Sequence, residues 1–97
     1  MGRLSIHERD EREDALLAAI KKVNAEPAGY VVWFEVGEYT VPFLRALQTY
    51  ANSRKAPRKG ADGTYRVYRA RLVTQQDGAK RVPIRLEISH VWCAPRQ

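Results

Sequence analysis

The sequence lacks the features that would indicate a secreted or membrane protein, namely cysteine pairs, long apolar runs and a secretory leader. A single cysteine among 97 residues excludes an internal disulfide and is typical of a reducing compartment. The longest apolar run, residues 28–34, is far shorter than the ~20 residues that span a bilayer, and the acidic N-terminal stretch is unlike a secretory leader. We therefore expect a cytoplasmic protein that does not enter the membrane.

Catalytic and metal-binding patterns are also missing. His90 and Cys93 would supply two metal ligands without a third or fourth, and neither has a partner that would activate it as a nucleophile. Residues 60–63 match the Gly-x-x-Gly clamp of some RNA-binding domains, but they precede a predicted strand and are interpreted as a turn. No phosphate-loop, dinucleotide-binding or zinc-protease spacing is present. We predict a non-enzymatic protein without metal or cofactor.

The composition is that of a single globular domain over residues 1–97, with 44% apolar and 29% charged residues. The net charge of +6 is unevenly divided. Residues 1–53 hold six basic and eight acidic side chains, a balance of −2, whereas residues 54–97 hold eleven basic and three acidic ones, a balance of +8. Clustered Lys and Arg neutralise phosphates and release counterions, so this division favours a polyanionic partner.

The N-terminal half predicts two helices. In residues 3–7, Leu4 and Ile6 alternate with polar residues as in a short strand, and the alternative is a helix that opens at Ile6 behind a Ser5/Glu8 capping box. The helix that follows has acidic residues at its start, Lys21 and Lys22 near its end, and a stop at residues 26–29. Its apolar residues at helical spacing are Leu16, Ile20 and Val23. The second helix has Thr40 as N-cap, Pro42 in its first turn, an apolar stripe of Phe43, Leu44, Leu47 and Tyr50 or Ala51, and an end at Asn52 and Ser53.

Residues 30–36 read as a strand that is apolar on both faces, with Val32, Phe34 and Val36 on one face and Val31 and Trp33 on the other. If both helices cover one face of the sheet, Val31 and Trp33 lie on the open face, where an exposed apolar patch marks an interface. We predict homodimerisation through these two residues. Partial cover by the N-terminal segment is the alternative.

The last third predicts a β-hairpin with strands over 65–74 and 81–92 around Asp77-Gly78. A two-residue turn there would place arginines opposite core residues. An odd-membered turn such as Gln76-Asp77-Gly78, with a bulge at Gly78, sorts the two faces, and we predict that turn. The predicted core face carries Tyr68, Ala70, Leu72, Val82, Ile84, Leu86 and Ile88, and the opposite face carries Val67, Arg69, Arg71, Val73, Arg85 and Glu87.

The elements together predict a two-layer α+β fold of the order (β)αβαββ, with two helices on one face of a three- or four-stranded sheet and a C-terminal hairpin. This order resembles that of the Alba family of chromatin and RNA-binding proteins. Residues 15–20 are similar to its first helix, Gly37 to the glycine after its second strand, and residues 73–78 with Arg81-Val82, Ile84, Leu86 and Ile88 to its last hairpin. The resemblance implies a homodimer that grips nucleic acid with projecting hairpin arms. The same element order occurs in the C-terminal domain of bacterial translation initiation factor three.

The candidate binding residues are the cations of the hairpin and of the loop before it. A planar guanidinium donates two hydrogen bonds to one phosphate, and Tyr65 or Trp33 could stack an unpaired base. The alternative is an ordinary solvated strand face with Arg69 or Arg85 paired to Glu87. The predicted set is Arg54, Lys55, Arg58, Lys59, Arg69, Arg71, Lys80, Arg81 and Arg85.

Two functions fit these features. The first is binding of DNA or RNA through the phosphate backbone with low sequence specificity. The second is a protein-interaction module, such as an inhibitor or adaptor encoded by a mobile element, whose basic face meets an acidic protein partner.

Overall fold

The fold consists of two helices packed on one antiparallel sheet. The computed structural model describes residues 6–60 and 62–95, with only the backbone over 6–10. The element order is α1 (Ile6–Asn24), β1 (Val32–Glu35), α2 (Val41–Asn52), β2 (Tyr65–Asp77) and β3 (Lys80–Cys93). The sheet has the order β1-β3-β2, so β3 is central. The predicted α+β class with a C-terminal hairpin is confirmed, with three strands in the described part of the chain.

Helix α1 starts earlier than we expected. Ile6 and His7 lie in the helix, so the predicted strand over residues 3–7 is wrong at these two positions, and residues 1–5 lie outside the described residues. The alternative helix start at Ile6 is confirmed, while its proposed cap Ser5 lies outside that range. Two alternating apolar residues are a weak strand signal, and the acidic residues that follow stabilise a helix N-terminus through the helix dipole. The helix ends before Gly29, which has φ +88°.

Helix α2 follows the predicted capping. The Thr40 hydroxyl accepts a hydrogen bond from the Phe43 N–H at 3.3 Å, and Pro42 occupies the first turn, where its missing N–H leaves no helical bond unmade. At the other end, Ser53 is the C-cap and its N–H donates to the Tyr50 carbonyl at 3.1 Å.

The core lies between the helices and one face of the sheet. Val32 and Phe34 of β1 are buried against Leu86 and Ile88 of β3, as the strand alternation predicts. Val36, expected on the same face, is 38% exposed because β1 ends at Glu35. The helices contribute Leu16, Ala19, Ile20, Val23, Leu44, Leu47, Tyr50 and Ala51 to the core.

The hairpin has the predicted division into a core face and an opposite face, but its turn and its residue pairing differ from the prediction. In its body, the core side chains of β2 and β3 face the helices. At the tip, Asp77 pairs with Lys80, so the turn has only two residues, Gly78 and Ala79. The predicted odd-membered turn is therefore wrong. Gly78 has φ +61° in the first central position, which is the pattern of a type II′ turn.

The extra residue that we expected in the turn lies instead in a β-bulge within the strands. The register shifts between Val73 and Thr74: Thr74 pairs with Pro83, and Ile84 is left without a partner in β2. Pro83 cannot donate to a ladder, and strands tolerate proline at bulges. Val82, predicted in the core, is 36% exposed past the bulge, and neither it nor Ile84 joins the core cluster.

Beyond the bulge the hairpin projects as an arm. All residues over 75–82 are exposed. The radius of gyration is 15.0 Å, whereas a compact chain of this length has about 12.5 Å. Within the described residues, no helix is long and apolar enough to cross a membrane.

Candidate nucleic-acid interface

The sheet face that points away from the helices forms the candidate site, and we call it the open face. Alternation along each strand places on it the residues next to the buried ones. In one row across the sheet, Glu87 of the central strand β3 lies between Trp33 of β1 and Arg71 of β2. In the next row, Glu35 of β1 lies opposite Arg85 of β3. The open face consists of Trp33, Glu35, Val67, Arg69, Arg71, Val73, Arg85, Glu87, Ser89 and Val91.

Arg85 is the best-fixed cation of the open face. Its Nε donates to Glu87 Oε2 at 3.0 Å, and its guanidinium carbon lies 4.5 Å from the centroid of the Trp33 ring. This ion pair is the one predicted as the alternative to a binding role. It is partly exposed, so its contribution to stability is of the order of 1 kcal/mol or less.

Arg69 and Arg71 have no salt bridge among the described residues. Both are exposed on β2, which is an edge strand of the sheet. Arg85–Glu87 is the only salt bridge found among the described residues. With two carboxylates, Glu35 and Glu87, against three arginines, the open face has a balance of +1.

The cations of the arm are exposed but have neighbours. Lys80 lies opposite Asp77 in the ladder. Arg81 Nε donates to the Thr74 hydroxyl at 3.0 Å, and its Nη1 donates to Gln76 Oε1 at 3.4 Å. Its Nη2 also donates to the Thr74 carbonyl at 3.5 Å, so these contacts hold the Arg81 side chain along the arm.

The loop cations lie at the other end of β2. Arg54, Lys55 and Lys59 are exposed, whereas Arg58 is half-buried and donates from Nη2 to the Ser53 carbonyl. Strand β2 has 13 residues, so about 40 Å separates its two ends. The structure therefore divides the predicted set into the open face, the arm and the loop, rather than gathering it into one patch.

Two residues outside the predicted set join the loop end. The Arg66 guanidinium lies 4.3 Å from the centroid of the Trp92 ring, and the two residues are cross-strand partners. A Cβ added at Gly60 would come within 2.9 Å of the Trp92 ring, so the ring packs closely on that glycine. The observed hairpin register places Arg66 opposite Trp92, so this contact could be predicted only from the correct register, which the sequence analysis did not have.

The described residues of the Gly-x-x-Gly segment, Gly60, Asp62 and Gly63, lie in a turn, as predicted. Gly60 N–H donates to the Thr64 carbonyl at 2.8 Å, and Gly63 has φ +84°. Asp62 Oδ1 accepts from the Thr64 hydroxyl at 2.6 Å, and this hydrogen bond holds the pKa of the Asp62 carboxyl below its usual range. A cavity of about 470 Å³ borders this turn and is lined by Lys59, Gly60, Gly63, Tyr65 and Pro95.

His90 is buried on the helix side of β3. It is 2% exposed, and its Nδ1 is buried without a hydrogen-bond partner. Burial lowers the pKa of the imidazole, and the positive charge of Arg66 lowers it further, while a hydrogen bond to the Val23 backbone acts in the opposite direction. Cys93 is half-buried at the end of β3. Over residues 6–60 and 62–95, no group of three or more His, Cys, Asp or Glu side chains is placed to hold a metal ion.

The comparisons with known proteins add no identification. No family model, no curated protein and no solved structure matches the chain. The resemblance to the Alba family therefore stays a prediction.

His90 generates a prediction about pH. Because its pKa is below the usual value in the folded chain, the unfolded chain binds the proton first as the pH falls. The free energy of unfolding should therefore decrease as the pH falls below about 6.5, and it should continue to decrease until the pH is below the folded-state pKa.

Urea unfolding of the wild type and His90→Gln at pH 7.5, 6.5 and 5.5 measures this pH dependence. We expect the variant to lose less stability on acidification. His7→Gln, which removes the other histidine, is the control. Equal pH slopes in the wild type and His90→Gln would contradict the assignment.

Proposed function

We propose that the chain is a non-enzymatic, cytoplasmic protein that binds nucleic acid with low sequence specificity through the phosphate backbone. The observation that carries this proposal is the arrangement of Arg69, Arg71 and Arg85 on one sheet face that neither helix covers. Guanidinium groups on a common surface suit a row of phosphates because each donates paired hydrogen bonds.

Electrostatics within the open face support a polyanionic ligand. Arg69 and Arg71 are two residues apart on β2, so their side chains leave the same face of the same strand. Like charges at this spacing disfavour the folded state, and Glu87 already accepts from Arg85. A phosphate chain laid over the two free arginines would relieve their repulsion.

The arm and the loop extend the surface. Lys80 and Arg81 lie at one end of β2, and Arg54, Lys55 and Lys59 lie at the other. A ligand long enough to follow the ribbon could contact both groups, whereas a single phosphate could not. Arg58 belongs to the proposed set, but it should contribute less to phosphate binding because its guanidinium already donates to a backbone carbonyl.

The predicted homodimer would use the same face differently. Val31 is 45% exposed and Trp33 54% exposed, so the described residues do not cover them. A second copy seated on them would also have to bury the neighbouring Glu35 and Arg85, which lie beside Trp33 in the sheet. Burial of partly paired charges is unfavourable, so we place the nucleic acid, rather than a second copy, on this part of the face. Homodimerisation through Val31 and Trp33 stays a prediction, and it is the alternative to nucleic acid on this part of the face.

Removal of the three open-face arginines should weaken binding to all nucleic-acid sequences alike. In Arg69→Ala/Arg71→Ala/Arg85→Ala, we expect the slope of log K against log salt to become shallower by about 2 to 3, because each lost phosphate contact removes about 0.7 to 0.9. The matched control is Lys21→Ala/Lys22→Ala/Arg45→Ala, which removes the same charge from exposed helix positions. Fluorescence anisotropy of a labelled oligonucleotide at several salt concentrations measures both variants. Equal losses in the two would assign binding to net charge and not to the open face.

Glu87→Gln should strengthen binding. The change keeps the shape of the side chain, ends the ion pair with Arg85, and raises the balance of the open face from +1 to +2. One unit charge near a phosphate is worth about 1 kcal/mol in water, which corresponds to about a fivefold increase in affinity at low salt. Glu26→Gln, an exposed carboxylate after α1, is the control for net charge. An unchanged affinity in Glu87→Gln would indicate that no phosphate lies near Arg85.

A second candidate function is the protein-interaction module, and the part of the β2 edge that follows Ala70 favours it. The Arg66 N–H donates to the Arg58 carbonyl at 2.6 Å, and the Ala70 carbonyl accepts from Gln48 Nε2 at 3.4 Å. Both groups point away from β3, so by alternation the backbone groups of Leu72 also point outward. An extended acidic segment could add to this edge as a fourth strand, with its carboxylates beside the open-face arginines.

Ala70→Pro separates the two functions. Proline removes an outward N–H, which an edge strand tolerates, and it blocks the addition of a further strand without removing a cation. We expect this variant to bind oligonucleotides like the wild type. The measurement is titration of both proteins with an oligonucleotide and with a peptide of alternating Glu and Thr. Tight peptide binding that Ala70→Pro abolishes, without oligonucleotide binding by either protein, would favour the interaction module.

A further inference from the structure

Trp33 is an exposed aromatic side chain in a charged setting. It lies on β1 with 54% of its surface exposed, although it is among the largest apolar side chains of the sheet. One face of its ring meets the Arg85 guanidinium at 4.5 Å, and that guanidinium is itself held by Glu87. The ring is therefore fixed on one side by a cation–π contact and accessible on the other.

We infer that Trp33 is a stacking platform for an unpaired base, so that the ligand of the open face is single-stranded nucleic acid. This inference rests on the proposed function. A base is flat, apolar on its faces and joined to a phosphate, and it would cover the free indole surface while its phosphates meet arginines. Arg71 lies in the same row as Trp33, two strands away and about 10 Å across the sheet, within reach for a flexible side chain.

The same geometry disfavours a duplex at this position. Bases in a duplex are stacked on one another and present only their edges in the grooves, so none offers a face to an indole ring. The Arg85 guanidinium already covers one face of the Trp33 ring, whereas a wedge between stacked pairs needs both faces free. The arm, by contrast, projects from the sheet, and its cations would contact the phosphate backbone of a duplex and of a single strand alike.

Intrinsic fluorescence tests the contact, because the chain has two tryptophans. Trp92→Phe leaves Trp33 as the only indole, and Trp33→Phe leaves Trp92 as the reciprocal control. Each is titrated with unpaired oligothymidylate, a duplex of equal length and inorganic polyphosphate. We expect oligothymidylate to quench the Trp33 emission, and duplex and polyphosphate to leave it unchanged even where they bind. Equal quenching by polyphosphate would overturn the inference, since polyphosphate has no base to stack.

The affinity of Trp33→Ala supplies the second measurement. We expect about fivefold to a hundredfold weaker binding of the single strand, with an unchanged salt slope because every phosphate contact is retained. Val31→Ala, an exposed apolar neighbour, is the control and should bind like the wild type. Single-strand binding that loses its salt slope in the arginine triple variant but is unaffected by Trp33→Ala would overturn the stacking inference alone. Absence of binding to every nucleic acid would overturn the proposed function with it.

Discussion

The register of β3 between its two neighbours is the constraint on which the rest of the structure depends. Leu86 and Ile88 face the helices, so Arg85 and Glu87 must face the open side. A slip by one residue would exchange the two pairs and bury two charges where the helices pack, with a penalty of several kcal/mol per ion. The core therefore determines the charged surface: the ring of Trp33 meets a guanidinium because Phe34, its neighbour in the chain, is buried.

That constraint acts only where the helices cover the sheet. Beyond the bulge near Pro83, no residue of the hairpin belongs to the core cluster, and the register shifts by one residue there. Val82 is exposed there without disturbing any packing, and the strands continue to a two-residue turn at Gly78. The arm is thus held by backbone pairing and by polar contacts such as that of Arg81 with Thr74, and it can present cations without a requirement from the core.

Local periodicity was enough to predict most of the fold but not the site. The caps of α2 and the burial of Val32 and Phe34 follow from residues within one turn or one strand, and they are confirmed, whereas Val36 lies past the end of β1. The surroundings of Trp33 depend on pairing with Glu87, 54 positions away, and single-sequence patterns carry no information on the register of β1 against β3. The stacking of Arg66 on Trp92 likewise depends on a long-range register, that of β2 against β3, whereas the contact of Arg58 with Ser53 lies in a loop that has no periodic pattern.

A surface whose cations are partly paired with carboxylates can still suit a polyanion. The Glu87 carboxylate orients Arg85, so less side-chain entropy is lost when a phosphate arrives, although part of the positive charge is offset. In the proposed complex, affinity would depend on Arg69 and Arg71, which have no salt bridge among the described residues, and the indole of Trp33 would set the position of the ligand. Neither guanidinium–phosphate contacts nor stacking on a ring face distinguishes one base edge from another. The low sequence specificity that we propose would therefore follow from the chemistry of the open face, which would distinguish unpaired from paired bases rather than one base from another.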